Sequence, residues 1–263
     1  MTIPIVDIAS WSDVHSYVRS GWLFRGQSSA AWGLKTSFER LCDRRGIQAD
    51  DRYRLERALL RDFTRSLHQY SAHVPRPDCK IEWLSIMQHH GAPTRLLDFT
   101  YSLYVACYFA LEAADSESAV WAIRGPWALR ESVQALKESG KSDAVRLKEI
   151  HENDEDVCFE LVFAESTTCA AIPLNPFRLN ERLRIQKGVF LVPGNLTKSY
   201  MENLESLPES DNEDNAIKLV LSPSIRAEAL ESLFYMNISR TSLFPGLDGY
   251  AQSLGVYHPT FIQ

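Results

Sequence analysis

No run in the chain approaches the roughly 18 consecutive apolar residues that a membrane-spanning helix needs, and no basic segment followed by an apolar one opens it. The expectation is a cytoplasmic protein with no membrane partner. Cysteine is sparse: Cys42, Cys79, Cys107, Cys158 and Cys169 are odd in number, scattered and free of any C-x-x-C pair. That excludes a disulfide framework and a cysteine zinc site, and predicts buried thiols in a reducing compartment. Basic charge is in deficit, with 28 Lys and Arg against 34 Asp and Glu and a net charge of -6, so there is no global field for nucleic acid. A local basic patch stays open. The Walker A loop, the G-x-G-x-x-G fingerprint and the G-x-S-x-G nucleophile elbow are all missing, which removes the common nucleotide-binding and α/β-hydrolase signatures. Repeats are absent too, and the acidic stretch from Glu209 to Asp214 is the only hint of low complexity.

Apolar residues make up 45% of the 263, ample for a real core. A short helix capped by Ser10 or Ser12 is expected over Val14 to Val18, then a strand Trp22-Leu-Phe-Arg-Gly-Gln27 that ends in polar residues. Thr36 and Ser37 can cap a helix bearing Phe38, Leu41 and Cys42 and stopping near Gly46. From Asp50 to Tyr70 a stripe of Leu55, Leu59, Phe63 and Leu67 marks the clearest helix, its arginines read as a solvated face partnered by Glu56 and Asp62. Helices follow at Glu82 to His90 and Ser102 to Leu111, and a strand at Ser118 to Arg124 that Gly125-Pro126 ends. The charged stretch 127–156 reads as a helical insertion. Strands are expected at Val157–Phe163, Cys169–Leu174, Gly188–Val192 and Ala216–Leu221, then a helix from Ser222-Pro223 through Phe234. Helices lead and closely spaced strands follow, which favours α+β over a doubly wound sheet.

Three clusters carry groups that do chemistry. Arg25 stands at a strand end, where a guanidinium grips a phosphate or carboxylate bidentately, with Gly26 allowing close approach and Gln27 beside it; the alternative is an ion pair to a structural acid. His89, His90 and Asp98 form the second cluster, as a general base oriented by an acid or as metal ligands, although adjacent helical residues diverge by about 100° and so share one ion poorly. Arg95 and Asp98 are spaced to pair with each other, and Thr94, Thr100 and Ser102 offer hydroxyls. In the third cluster, Arg182-Leu-Arg-Ile-Gln-Lys-Gly188, read as an extended approach to a strand, Arg184 and Gln186 share a side and can face Arg25.

These segments together resemble the FRG domain family, through Phe24-Arg-Gly26, His89-His-Gly-x-Pro-Thr-Arg-Leu-Leu-Asp98, Tyr104-Val-Ala-x-Tyr-Phe-Ala110, Arg182-x-x-x-Gln-x-Gly-x-Phe190 and Leu243-Phe-Pro-Gly-Leu-Asp248. The resemblance covers nearly the whole chain, as one domain over 1–263. More distantly the order of parts is similar to that of ADP-ribosyltransferases. This implies an α+β fold in which a helical N-terminal part packs on a mixed, mostly antiparallel split sheet. It also implies NAD as the nucleotide, an acceptor that is a protein or nucleic acid, and a toxin-like or phage-defence role. Carried over, Arg25 grips NAD with Gly26 allowing close approach, Thr100 or Ser102 is the hydroxyl, and Gln186 opens the last motif; from the clusters above, Gln27, His89 and Arg95 are expected to join the NAD site, and His90 and Asp98 to join Arg25 and Gln186 in catalysis. Where that pattern places its glutamate, this chain has Gly188, so Asp98 or Glu181 must supply the charge that an oxocarbenium-like transition state needs. A non-catalytic nucleotide- or nucleic-acid-binding module, and a metal-dependent hydrolase using His89, His90 and Asp98, are the alternatives.

Overall fold

Strands β4 (Ser118–Arg124) and β6 (Gly188–Pro193) are buried along nearly their whole length instead of on alternate residues. Continuous apolar runs of this kind belong to a sheet covered on both faces. The computed structural model, which describes residues 2–76, 79–141, 166–175 and 181–255, has that arrangement. Its other strands are β1 (Ile5–Ile8), β2 (Trp22–Gln27), β3 (Leu97–Thr100), β5 (Ala171–Leu174) and β7 (Ala216–Leu221). Among the described residues they form one seven-stranded sheet in the order β1-β7-β4-β2-β3-β6-β5. Only β1 and β7 run parallel; the other neighbours are antiparallel. The architecture is α+β with a mixed sheet.

On one face, Trp22, Phe24, Val120, Ala122 and Leu219 pack against the small residues Ala106, Cys107 and Ala110 of a helix spanning Leu103–Leu111. That helix is the fifth in order, after α1 (Trp11–Val14), α2 (Ser37–Arg45), α3 (Arg52–Ser66) and α4 (Lys80–His89), and is α5. The opposite face packs Leu23, Trp121, Ile123, Phe99 and Leu191 against Trp127 and Ala128 of α6 (Gly125–Glu138) and against Tyr200 and Leu204. Tyr200 and Leu204 lie on α8 (Tyr200–Glu205), which follows the short α7 (Glu181–Ile185). The C-terminal helices are α9 (Arg226–Tyr235), α10 (Arg240–Leu243) and α11 (Leu247–Ser253).

The expected punctuation is seen at most ends. Ser10 and Thr36 cap α1 and α2, and Gly46 closes α2 at φ 63°, in the left-handed region that glycine enters without cost. Gly125-Pro126 does more than end β4: it opens α6, because proline lacks only a donor that the first helical turn leaves unused. The stretch expected as a helical insertion is helical up to 138, and Trp127, Ala128, Val133 and Leu136 of α6 are buried in the core. Residues 142–156, the expected strand at 157–163 and Cys158 lie outside the described residues. Cys42 and Cys107 are buried free thiols; Cys79 and Cys169 are only partly covered.

The expected split does not divide the sheet, which is continuous; its loosest pairing is between β2 and β3. β2 and β3 share the single paired position Phe24↔Thr100 and part beyond it, while β2 stays paired with β4 from Trp22 to Gln27. Arg25 sits at that parting.

Candidate functional site

Alternation along β2 sends Trp22 and Phe24 toward α5 and Leu23, Arg25 and Gln27 to the other face. Gly26 is required by packing: a Cβ there would lie 1.9 Å from the Ala106 carbonyl oxygen and 2.6 Å from the Ala110 nitrogen. The close approach is therefore backbone to backbone and not backbone to ligand. Across the parting, Arg25 Nη1 donates to the main-chain carbonyl of Asp98 at 2.6 Å. Its Nε is buried with no hydrogen-bond partner, and no carboxylate pairs with it among the described residues. Burial draws the Arg25 pKa down, with Asp98 partly offsetting this. A guanidinium keeps its charge against such a shift.

Around Arg25 lies a cleft of about 940 Å³. One wall is the 28–35 loop. Gln27 holds it by accepting from Trp121 Nε1 at 2.8 Å and donating to Gly33 O at 3.2 Å. Lys218 Nζ donates to the carbonyls of Ala30 (2.5 Å) and Trp32 (3.2 Å). So anchored, Trp32 stands 55% exposed over the cleft, an indole face open to a stacking partner. The next wall is α2, which brings Glu39 and Arg40. The far wall holds Thr100, Arg182 and Gln186, and Phe109 reaches in from α5. Thr100 Oγ1 donates to Gln186 O at 2.7 Å and Gln186 Nε2 to Leu243 O at 3.1 Å. The Arg182 guanidinium lies 4.7 Å from the Phe244 ring centroid.

Two carboxylates face the cleft in different settings. Asp98 Oδ2 accepts from Gln88 Nε2 at 2.9 Å, and Gln88 is itself fixed by Thr94 Oγ1 donating to its Oε1 at 2.6 Å. Glu39 is buried, forms no ion pair among the described residues, and accepts from the Tyr200 N–H through Oε2 at 3.2 Å. Burial pushes its carboxyl above the usual range. Against these stand Arg25, Lys35, Arg40 and Arg182, with Lys35 committed to Asp43 at 2.5 Å. A chain of net charge -6 thus gathers basic groups at one concave site, the electrostatics that suit a phosphate-bearing ligand.

Of the residues expected here, Arg25, Gly26, Gln27, Asp98, Thr100 and Gln186 line the cleft. His89 and His90 do not: both are exposed at the end of α4, their ring centroids 4.9 Å apart. Burial, with help from His90 and Arg182, lowers the His89 pKa. His89, His90 and Asp98 do not gather, and among the described residues no group of three His, Cys, Asp or Glu side chains is placed to hold a metal ion. Arg95 is fully buried away from the cleft, its Nε donating to Glu56 Oε1 at 2.6 Å and its Nη2 to Glu56 Oε2, with the Tyr53 ring 5.6 Å off. It pairs with Glu56 instead of Asp98, and Glu56 is a core partner instead of a solvated one. Ser102 caps α5 by accepting from Val105 N.

The segment 181–185 is helical, which replaces the expected strand-like alternation. Residues four apart then share a side, so Arg182 and Gln186 reach the cleft, while Arg184 and Glu181 are exposed and do not line it. At Gly188 a Cβ would meet Leu183 Cδ1 at 2.2 Å and Leu183 O at 3.2 Å, so a larger side chain there requires Leu183 of α7 to move.

Glu39, Arg40, Phe109 and Tyr200 were missed by sequence reasoning. One signal for Glu39 existed: Thr36-Ser-Phe-Glu39 has the spacing of a capping box, in which the glutamate would turn back to the cap residue. Thr36 does accept from Glu39 N, at 3.0 Å, but the reciprocal half is not formed. Ser199 and Glu202 form the complete box on α8.

A basic cleft opens at the loosely paired strands β2 and β3 of an α+β domain, with its arginine inside a Phe-Arg-Gly sequence. A family model described as FRG domain matches residues 20–119. That span includes Arg25, Glu39, Asp98 and Thr100, whereas Arg182, Gln186 and the 243–248 segment lie beyond it. No curated protein and no solved structure matches the chain. Among the described residues no helix is long and apolar enough to cross a membrane.

Proposed function

We propose that the cleft binds a phosphate-bearing nucleotide anchored on Arg25, and that the nucleotide is NAD, cleaved between nicotinamide and ribose. The ADP-ribosyl group would pass to water or to a protein or nucleic-acid acceptor, and the ADP-ribosyltransferase-like character expected from the sequence is part of this proposal. The observation that carries it is the Arg25 guanidinium, half-buried in the cleft with a buried, unsatisfied Nε and no carboxylate partner among the described residues. A buried cation left unpaired is costly, and a bound anion removes that cost. Trp32 offers a stacking face for an aromatic ring, and Arg40 and Arg182 complement further negative charge. Asp98, held by Gln88 beside Arg25, is the fixed anion that would favour positive charge developing on the ribose. Depletion of NAD by such a reaction would suit a toxin-like or phage-defence effector. The test is incubation with NAD and varied acceptors: a folded protein that releases no nicotinamide and transfers no ADP-ribose label would exclude the reaction.

A second reading is favoured by Gly188, which leaves the position without a carboxylate and packs closely against Leu183: a module that binds the nucleotide without turning it over. It expects NAD or ADP-ribose to raise the melting temperature, Arg25→Ala to abolish that rise, and no product to form.

A further inference from the structure

We infer that Glu39 is the cleft's proton acceptor, the carboxylate that deprotonates the attacking water or acceptor group. This rests on the NAD-cleavage reading and deepens it. Glu39 and Arg25 flank one buried side chain, Tyr200: its main-chain N–H holds Glu39 Oε2 at 3.2 Å, and its phenol feels the charges of both. Glu39 is only 7% exposed, and it lines the cleft. The carboxylate forgoes the local capping-box partner that its sequence position offers and turns to the site instead.

The other carboxylate, Asp98, is already committed: its Oδ2 accepts from the Gln88 amide at 2.9 Å, which fixes it in place beside Arg25 as a standing charge. Glu39 lies among Lys35, Cys42 and Asp43 on its own side, with Arg52 from α3 and Tyr200 from α8. Burial outweighs these neighbours and raises its proton affinity, the direction a general base requires. Two carboxylates in unlike surroundings thus divide two roles.

The step balances as a hydrolysis. The bond between the ribose anomeric carbon and the nicotinamide nitrogen breaks, its electron pair leaving on the now neutral nicotinamide. A water oxygen bonds to that carbon, and the water proton moves to Glu39 and then to solvent. NAD and water give ADP-ribose, nicotinamide and one proton.

The experiment compares the full chain with Glu39→Gln and Arg25→Ala for nicotinamide release, ADP-ribose binding by calorimetry, and melting temperature. Glutamine retains an oxygen for the Tyr200 N–H but cannot take the proton. Expected for Glu39→Gln is a loss of release of at least roughly 100-fold, with ADP-ribose affinity within about threefold and a folded melt, since general base catalysis supplies about 10² to 10⁴. A rate within about threefold of the parent overturns the role of Glu39 and leaves the NAD reading standing. An unfolded Glu39→Gln also overturns it, by showing the carboxylate to be structural. No release by the parent overturns the NAD reading and this inference together.

Discussion

Arg25 reaches across the parted strands to the main-chain carbonyl of Asp98, at 2.6 Å, while the Asp98 carboxylate accepts from Gln88 at 2.9 Å. The two most obvious partners in the cleft are therefore not an ion pair. The guanidinium remains available to an anion from outside, and the carboxylate remains a fixed negative charge beside it.

Replacing Arg25 should separate binding from folding. Arg25→Ala loses one bond to a carbonyl and no ion pair among the described residues, so stability should change by no more than about 1 kcal/mol. Affinity for NAD or ADP-ribose should fall roughly 10- to 100-fold, as expected for charge-assisted hydrogen bonds to phosphate. Arg25→Lys should recover little, because an ammonium lacks the planar fork. Melts with and without ligand, with isothermal titration, check this.

The Arg95–Glu56 pair should behave in the opposite way. Both side chains are buried and paired, so Arg95→Ala or Glu56→Ala leaves an uncompensated charge and should cost about 3–5 kcal/mol. The double replacement Arg95→Met/Glu56→Leu should recover much of that loss. Denaturant titration of the three variants decides; additive losses would mean the pair is not coupled.

Two glycines lining the cleft should differ. Gly26→Ala drives a methyl into the Ala106 carbonyl at 1.9 Å and should cost at least about 1–3 kcal/mol, because the α5 backbone must shift. Gly33→Ala meets nothing closer than Met201 Cγ at 3.6 Å and should fold normally. A comparable melt for both would show that β2 and α5 are not in such close contact.

The pH dependence of stability should carry the mark of Glu39. Burial raises its pKa in the folded state above the unfolded value, so folding favours the protonated form. Its contribution to stability is fully present below the ordinary carboxylate pKa and is lost as pH rises through the raised one. Glu39→Gln, permanently neutral, should therefore melt no lower than the parent at neutral pH, with the difference narrowing in acid. In the parent, nicotinamide release should rise with pH across the same window. A parent that melts higher than Glu39→Gln at neutral pH would show the ionised carboxylate to be stabilising.

Local chemistry was legible in the sequence. Ser118–Arg124 and Ala216–Leu221 are strands as expected, Thr36 caps α2, and Gly46 ends it, since each depends on neighbours a few residues away. The α8 helix over Tyr200–Glu205 was missed although Ser199 and Glu202 spell its capping box, and the strand β1 was missed as well. The helical turn at 181–185 changed which residues of that segment face the cleft, because spacing selects a side only once the period is known.

For the site, the sequence by itself determined the anchor: an arginine that stays charged, delivered by a strand that ends in Arg-Gly-Gln. Only the tertiary structure decided what surrounds it. His89 and His90, adjacent to the central motif, turn outward from α4, and Arg95 is claimed by Glu56 from a helix 39 positions away. Glu39 and Tyr200, 161 positions apart, meet beside Arg25. Such meetings depend on how helices pack across a sheet and which buried charges find partners first. Both are long-range balances of burial and pairing that no window of local sequence contains.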